Sequence, residues 1–160
     1  MNLPARGRAA GKVILLGEHA VVYGRPALAA GLGLGLEARV TAGTGPVRLE
    51  SDRPELRDDP KAARLVAEAA VAVGLAPSDL VVEVRSELPP GVGLGSSAAL
   101  SVAVLRALAA EKATADAAHK MALVTTLKAA QSVYDEAKLN EMTITQLEDV
   151  SKLVKIAVPV

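Results

Sequence analysis

No cysteine, tryptophan or phenylalanine occurs in the 160 residues, and tyrosine occurs only at Tyr23 and Tyr134. Without cysteine there is neither a disulfide framework nor thiolate chemistry, and a reducing, cytoplasmic setting is expected. Without large aromatics a core must be assembled from Ala, Val, Leu and Ile. These are plentiful, since 51% of the residues are hydrophobic. Charge of neither sign is in excess, with 18 basic against 18 acidic residues. That balance leaves no electrostatic footprint for nucleic acid or an anionic membrane, so neither is expected as a partner. No apolar run reaches the roughly 18 residues of a membrane span, and the opening MNLPARGRAAGKVILLGEHA holds no uninterrupted stretch of signal-peptide length. The length suits one domain of ordinary size, and a single domain over residues 1–160 is expected.

Glycine and proline are missing from one part only. All 13 glycines lie at or before Gly95, and of the nine prolines only Pro159 lies beyond Pro90. Every arginine falls at or before Arg106, whereas most lysines fall at Lys112 or later. A glycine-poor helical end of one protein accounts for the first switch. It does not account for the second, because helices accept Arg and Lys about equally. A separate origin for residues 111–160, as in a recombined or engineered chain, therefore stays open beside it.

Periodicity gives the coarse organisation. GKVILLGEHAVVYG, residues 11–24, has two short apolar runs around GEHA and reads as paired strands about a turn. Leu32, Leu34 and Leu36 alternate with Gly31, Gly33 and Gly35, a strand pattern whose bare face suits close packing of a helix or another backbone. Residues 41–60, rich in Gly, Pro, Asp and Arg, read as hairpin or loop. Asp59 and Pro60 open a helix that Gly74 closes. Leu80, Val82 and Val84 alternate with Val81, Glu83 and Arg85 in a half-buried strand. After Ser96 the spacing predicts helices over about 97–112, with Leu100, Val104 and Leu108 on one stripe, and over about 114–140, stacking Leu123, Leu127, Ala130, Tyr134 and Ala137. Thr145 with Glu148 forms a capping-box pattern for a last helix through Leu153. His119 is expected as a partly exposed helical residue rather than a ligand. The fold class expected is two-layer α+β: a mostly antiparallel sheet of four or five strands packed by helices, with a helical C-terminal tail.

PPGVGLGSS, residues 89–97, lies between that strand and the helix after it. Glycines let a backbone approach an anion with no Cβ in the way, and the head of the helix adds unpaired N–H donors and a positive dipole end. Serines at the helix start can donate to phosphate or hold a magnesium ion. The stretch lacks the Gly-Lys-Ser/Thr ending of the common P-loop. On the residues alone, anion binding and a merely tight strand-to-helix turn both stay open.

SELPPGVGLGSSAALSVAVL closely resembles the second signature of the galactokinase, homoserine kinase, mevalonate kinase and phosphomevalonate kinase superfamily. GKVILLGEHAVVYGRPALA resembles its first signature, and both are nearest to mevalonate kinase. The resemblance covers about residues 8–110 and implies the ribosomal-protein-S5-like fold for that front portion. It implies ATP and Mg as cofactors, with Gly91, Val92, Gly93, Leu94, Gly95, Ser96 and Ser97 wrapping the phosphates and Ser86 near the nucleotide. By the same resemblance Ser97 is the metal ligand and Lys12 approaches the phosphates. Glu18 and His19 border the pocket of a mevalonate-like small molecule, where the residues alone suggest a hydrogen-bonded turn pair.

Phosphoryl transfer also needs an acceptor oriented beside a carboxylate. The family's later PSG-x-D segment, its metal-binding glutamate and its C-terminal domain have no counterpart after residue 110. Asp116, Asp135 and Asp149 with Glu136 and Glu148 read as a solvated helix face. Little phosphorylation by this chain alone is expected, and three readings follow: a nucleotide-binding kinase portion, a regulatory module that retains nucleotide binding, or a recombined structural domain without activity. An exposed apolar stripe on the C-terminal helices would favour self-association.

Overall fold

A computed structural model describes residues 4–89, 91–130 and 134–157. Pro90 of the loop motif, residues 131–133 of the second expected helix, and Pro159 lie outside the described residues. Four strands form one sheet: β1 (Ala5–Leu16), β2 (Leu28–Pro46), β3 (Arg48–Ser51) and β4 (Ser78–Ser86), in the order β1-β2-β4-β3. The β1/β2 and β2/β4 pairs are antiparallel and the β3/β4 pair is parallel. A parallel pair cannot be closed by a tight turn. The crossover between β3 and β4 carries α1 (Pro54–Arg57) and α2 (Pro60–Ala72). Helix α3 (Ser96–Ala129) follows the loop, and α4 (Glu136–Glu141) and α5 (Ile144–Ala157) complete the chain.

Side-chain alternation decides which face of the sheet is covered. Leu36, Ala38 and Val40 of β2, Val82 and Val84 of β4, and Leu49 of β3 are buried in one cluster. Val66, Ala69 and Ala70 of α2 belong to that cluster, as do Leu100, Val104 and Leu108 of α3. On the opposite parity Arg39 stands across from Glu83 and Glu37 across from Arg85, so charges of opposite sign face each other there. The architecture is the two-layer α+β arrangement expected, with four strands.

Small residues set how closely helix and sheet approach. A Cβ on Gly7 of β1 would lie 2.2 Å from the Ala103 carbonyl oxygen and 2.5 Å from the Ala107 nitrogen of α3. The bare face expected on β2 packs differently. A Cβ on Gly31 or Gly33 would meet nothing within 4 Å, and only Gly35 is tight, against the Ala9 carbonyl oxygen at 2.3 Å.

The helix over Pro60–Ala72 forms as expected. Asp59 accepts a hydrogen bond from the Lys61 N–H at 2.8 Å. Past its end Gly74 has φ +78°, the Gly74 N–H donates to Val71 O, and the Leu75 N–H donates to Ala70 O, the paired bonds of a Schellman cap.

Other expectations are corrected. The run Val21–Tyr23 is a short 3-10 turn, not a strand, because Gly24 at φ +72° turns the chain away and β1 pairs with β2 instead. Residues 41–60 are more regular than a loop, holding the end of β2, all of β3 and α1. Helix α3 runs unbroken through 112–114, since nothing there breaks a helix, and a new helix starts after Asp135, whose carboxylate accepts the Lys138 N–H at 2.8 Å. In the expected stack Leu127 is buried, but Ala130, Tyr134 and Ala137 are exposed. The last helix is capped by Thr143 and Gln146 rather than Thr145 and Glu148. The Thr143 N–H donates to Gln146 Oε1 at 2.9 Å and the Gln146 N–H to Thr143 Oγ1 at 3.3 Å. Glu148 instead pairs with exposed His119 at 3.1 Å.

Where one domain over 1–160 was expected, the chain divides into two compact units, Met1–Lys112 and Ala113–Val160. The second has its own small core of Val124, Leu127, Leu139 and Leu147. Among the described residues no helix is long and apolar enough to cross a membrane.

Candidate functional site

Both ends of the glycine-rich loop are tied to strands of the first unit. At its entrance the Glu87 N–H donates to Gly35 O at 2.9 Å, and the Glu87 carboxylate accepts the Gly35 N–H at 3.1 Å. At its exit the Lys12 N–H of β1 donates to Leu94 O at 2.9 Å. Gly11 makes that contact possible, since a Cβ there would lie 2.6 Å from a Leu88 methyl and 3.0 Å from Leu94 O.

Between these ties Gly91, Gly93 and Gly95 all have φ +73°, a left-handed conformation that other residues resist. Left-handed residues recurring along a chain are one way in which successive N–H groups come to share a concavity. A Cβ on Gly91 or Gly93 would meet nothing within 4 Å, so the space beside them is open. Gly95 O accepts the Ala99 N–H at 3.0 Å, the first bond of α3. Among the described residues, no backbone or side-chain acceptor takes the N–H of Leu94, Gly95, Ser96 or Ser97. Such orphan donors at a helix head attract anions.

The serines differ. Ser97 is exposed, lines the cavity beside the loop, and its carbonyl accepts the Ser101 hydroxyl at 3.1 Å. The Ser86 hydroxyl, by contrast, is taken by a local turn: it accepts the Leu88 N–H at 3.2 Å and donates to Leu88 O at 3.3 Å. Lys12 is half-buried, with its stem against Gly95. Glu18 and His19 are both exposed, in the turn between β1 and the 3-10 segment. The structure thus gathers Lys12 with residues 91–97 and leaves Glu18 and His19 beyond the end of β1.

A cavity of about 560 Å³ opens beside the loop, lined by Ser96, Ser97 and Leu100 of α3 and by Lys61, Arg64 and Leu65 of α2. Sequence reading treats α2 as structural and misses these three. No motif marks them, because they come to the loop only through the crossover. Asp59 and Glu68 line the same cavity, but each has a partner. Asp59 caps α2, and Glu68 accepts Arg64 Nε at 2.7 Å, a hydrogen bond that raises the guanidinium pKa.

The open glycines, free amides and exposed Ser97 fit a polyphosphate, for which a Cβ at Gly91 or Gly93 would be an obstruction. For a magnesium ion Ser97 is one oxygen donor. Among the described residues no group of three or more His, Asp or Glu side chains could hold a metal by itself.

Residues 60–127 match the family model described as GHMP kinases N terminal domain. This stretch of the chain is therefore similar to the N-terminal domain of GHMP kinases. The match runs past the 110 boundary that the motifs suggest, into the second half of α3. A shikimate kinase of Aeropyrum pernix is 39% identical over 107 residues, spanning 65% of this chain and 37% of that protein. A mevalonate kinase of Archaeoglobus fulgidus is 39% identical over 105 residues, spanning 64% and 37%. The chain therefore spans little more than a third of the length of these relatives. The crystal structure of the Staphylococcus aureus MRSA252 mevalonate kinase superposes with a TM-score of 0.52 at 32% identity, covering 68% of this chain and 39% of that one. The Methanococcus jannaschii mevalonate kinase, at 22% identity and a TM-score of 0.56 over 67% and 40%, has the same fold in this portion.

Proposed function

We propose that this chain binds the phosphates of ATP on the loop 91–97 and serves phosphoryl transfer to a hydroxyl of a small molecule. The observation that carries this reading is the open stretch of left-handed glycines ending in unpaired amides at the head of α3, with Lys12 beside it. Donors fixed before the ligand arrives need no reorganisation to meet a developing charge. Lys12 offsets charge on the terminal phosphate. Ser97 supplies one ligand to a magnesium ion, whose part when bound is to neutralise phosphate charge. The cavity lined by Leu65 and Leu100 is wide enough for the base, and Lys61 among its lining residues supplies positive charge.

Relatives named for mevalonate and for shikimate are about equally similar, and both names denote hydroxylated carboxylic acids. The acceptor class proposed is a small hydroxy acid, met by the face that carries Glu18 and His19. Turnover by these 160 residues alone is expected to be slow. A carboxylate must orient the acceptor, and the two at the cavity, Asp59 and Glu68, are committed to Lys61 and Arg64.

Competition binding tests the anchoring of phosphate. A fluorescent ATP analogue bound with magnesium is expected to be displaced by tripolyphosphate and not by adenosine. Displacement by adenosine alone would overturn the phosphate reading, and no binding at all would favour an inactive recombined scaffold.

A further inference from the structure

Gly91, Gly93 and Gly95 share the same backbone conformation but not the same surroundings. Beside the first two lies open space, whereas a Cβ on Gly95 would stand 2.9 Å from Lys12 Cγ, 3.1 Å from Cε and 3.4 Å from Cδ. The hydrocarbon stem of Lys12 therefore lies along the bare backbone of Gly95. The φ of +73° favours glycine equally at all three positions, so what sets Gly95 apart is the lysine stem beside it.

Little else fixes that side chain. Across the sheet Lys12 stands opposite Gly31, which offers no side chain, next to the register shift between Ala10 and Lys12. Among the described residues no carboxylate forms an ion pair with Lys12. Its main chain, however, is bound to the loop through Leu94 O. The loop thus holds Lys12 twice, by backbone and by stem, and leaves the ammonium uncommitted.

We propose that Gly95 is a positioning residue for Lys12: its missing side chain is a seat that orders the lysine stem before the anion arrives. A lysine ordered in advance loses less rotamer freedom on binding than one recruited from solvent. A methyl group at position 95 collides with a flexible side chain rather than with backbone. The methyl group displaces the lysine stem, and the left-handed strain it adds is matched by the same change at Gly93.

This inference rests on the phosphate-binding reading only for its consequence, and the test separates the two. Gly95→Ala and Gly93→Ala impose the same left-handed strain, but only the first obstructs Lys12. Each is made in the parent chain and in the Lys12→Ala background, and MgATP affinity is measured. Gly95→Ala is expected to cost on the order of tenfold more in the parent than in the Lys12→Ala background, whereas Gly93→Ala costs the same in both. Equal costs for Gly95→Ala in the two backgrounds would overturn the seat.

A second readout uses no nucleotide: acetylation of Lys12 by acetic anhydride, followed by peptide mapping with Lys61 as internal reference. Gly95→Ala is expected to speed labelling of Lys12 severalfold relative to Lys61, and Gly93→Ala to leave the ratio unchanged. If the parent chain binds no MgATP, the nucleotide reading fails while this ratio still decides the seat. An unchanged ratio in Gly95→Ala overturns it.

Discussion

Gly7 separates the roles of the glycines at the scale of single residues. Its missing Cβ admits α3 to within contact of β1, and the obstructing atoms would be the Ala103 carbonyl oxygen and the Ala107 nitrogen, which belong to a packed helix and cannot swing aside. Gly7→Ala is therefore expected to destabilise the first unit by ~1–3 kcal/mol or more, read as a lowered urea midpoint. Gly31→Ala, which faces open space, is expected to leave that midpoint unchanged or to raise it slightly. The alternation Gly31, Gly33, Gly35 made β2 the natural candidate for close packing. Of the three only Gly35 is tight, against the backbone of Ala9, while the close approach of a helix is made by Gly7 of β1, in a stretch whose sequence has no such pattern. Periodicity identifies two faces of a strand, but only sheet order and register decide which of them meets a helix. Lys12 and the loop were legible as motif residues. Their contact through Gly95 was not, since it joins positions 83 apart in sequence and depends on how the loop folds back on β1.

Among whole elements, capping residues decide where helices begin, and two of the three caps differ from simple pattern matching. Asp59 is a cap in both sequence and structure, and Asp59→Ala is expected to cost about 1 kcal/mol. Before the last helix two overlapping pairs fit the same capping pattern, Thr143 with Gln146 and Thr145 with Glu148. The structure uses the first, with reciprocal bonds between Thr143 and Gln146. Thr143→Ala should then lower the stability of the second unit by about 1 kcal/mol, whereas Thr145→Ala should be nearly neutral, both read by thermal unfolding followed by circular dichroism. The stripe Leu100, Val104 and Leu108 was legible because a four-residue spacing of branched aliphatics on a helix has one meaning, and all three are buried. Leu108→Ala is expected to cost ~2–5 kcal/mol. The interruption near residue 135 was not legible, because neither glycine nor proline marks it and the cap is a single aspartate.

On the scale of the whole molecule, two compact units have separate cores, one made by the sheet with α2 and the first half of α3, the other by Val124, Leu127, Leu139 and Leu147. Leu147→Ala should therefore unfold the second unit at lower urea while leaving MgATP affinity within about twofold, since no residue of the loop or its cavity belongs to that core. The account as a whole depends on the first unit, where a strand, a loop of left-handed glycines and a helix head, with Lys12 beside them, form the anion site we propose. Calorimetric titration of the chain with MgATP, beside Gly93→Val and Ser97→Ala, tests it most directly. Gly93→Val fills the open side of the loop and is expected to abolish measurable binding. Ser97→Ala removes one polar contact and is expected to weaken binding by about 10- to 100-fold. An affinity the same in all three proteins would contradict the account.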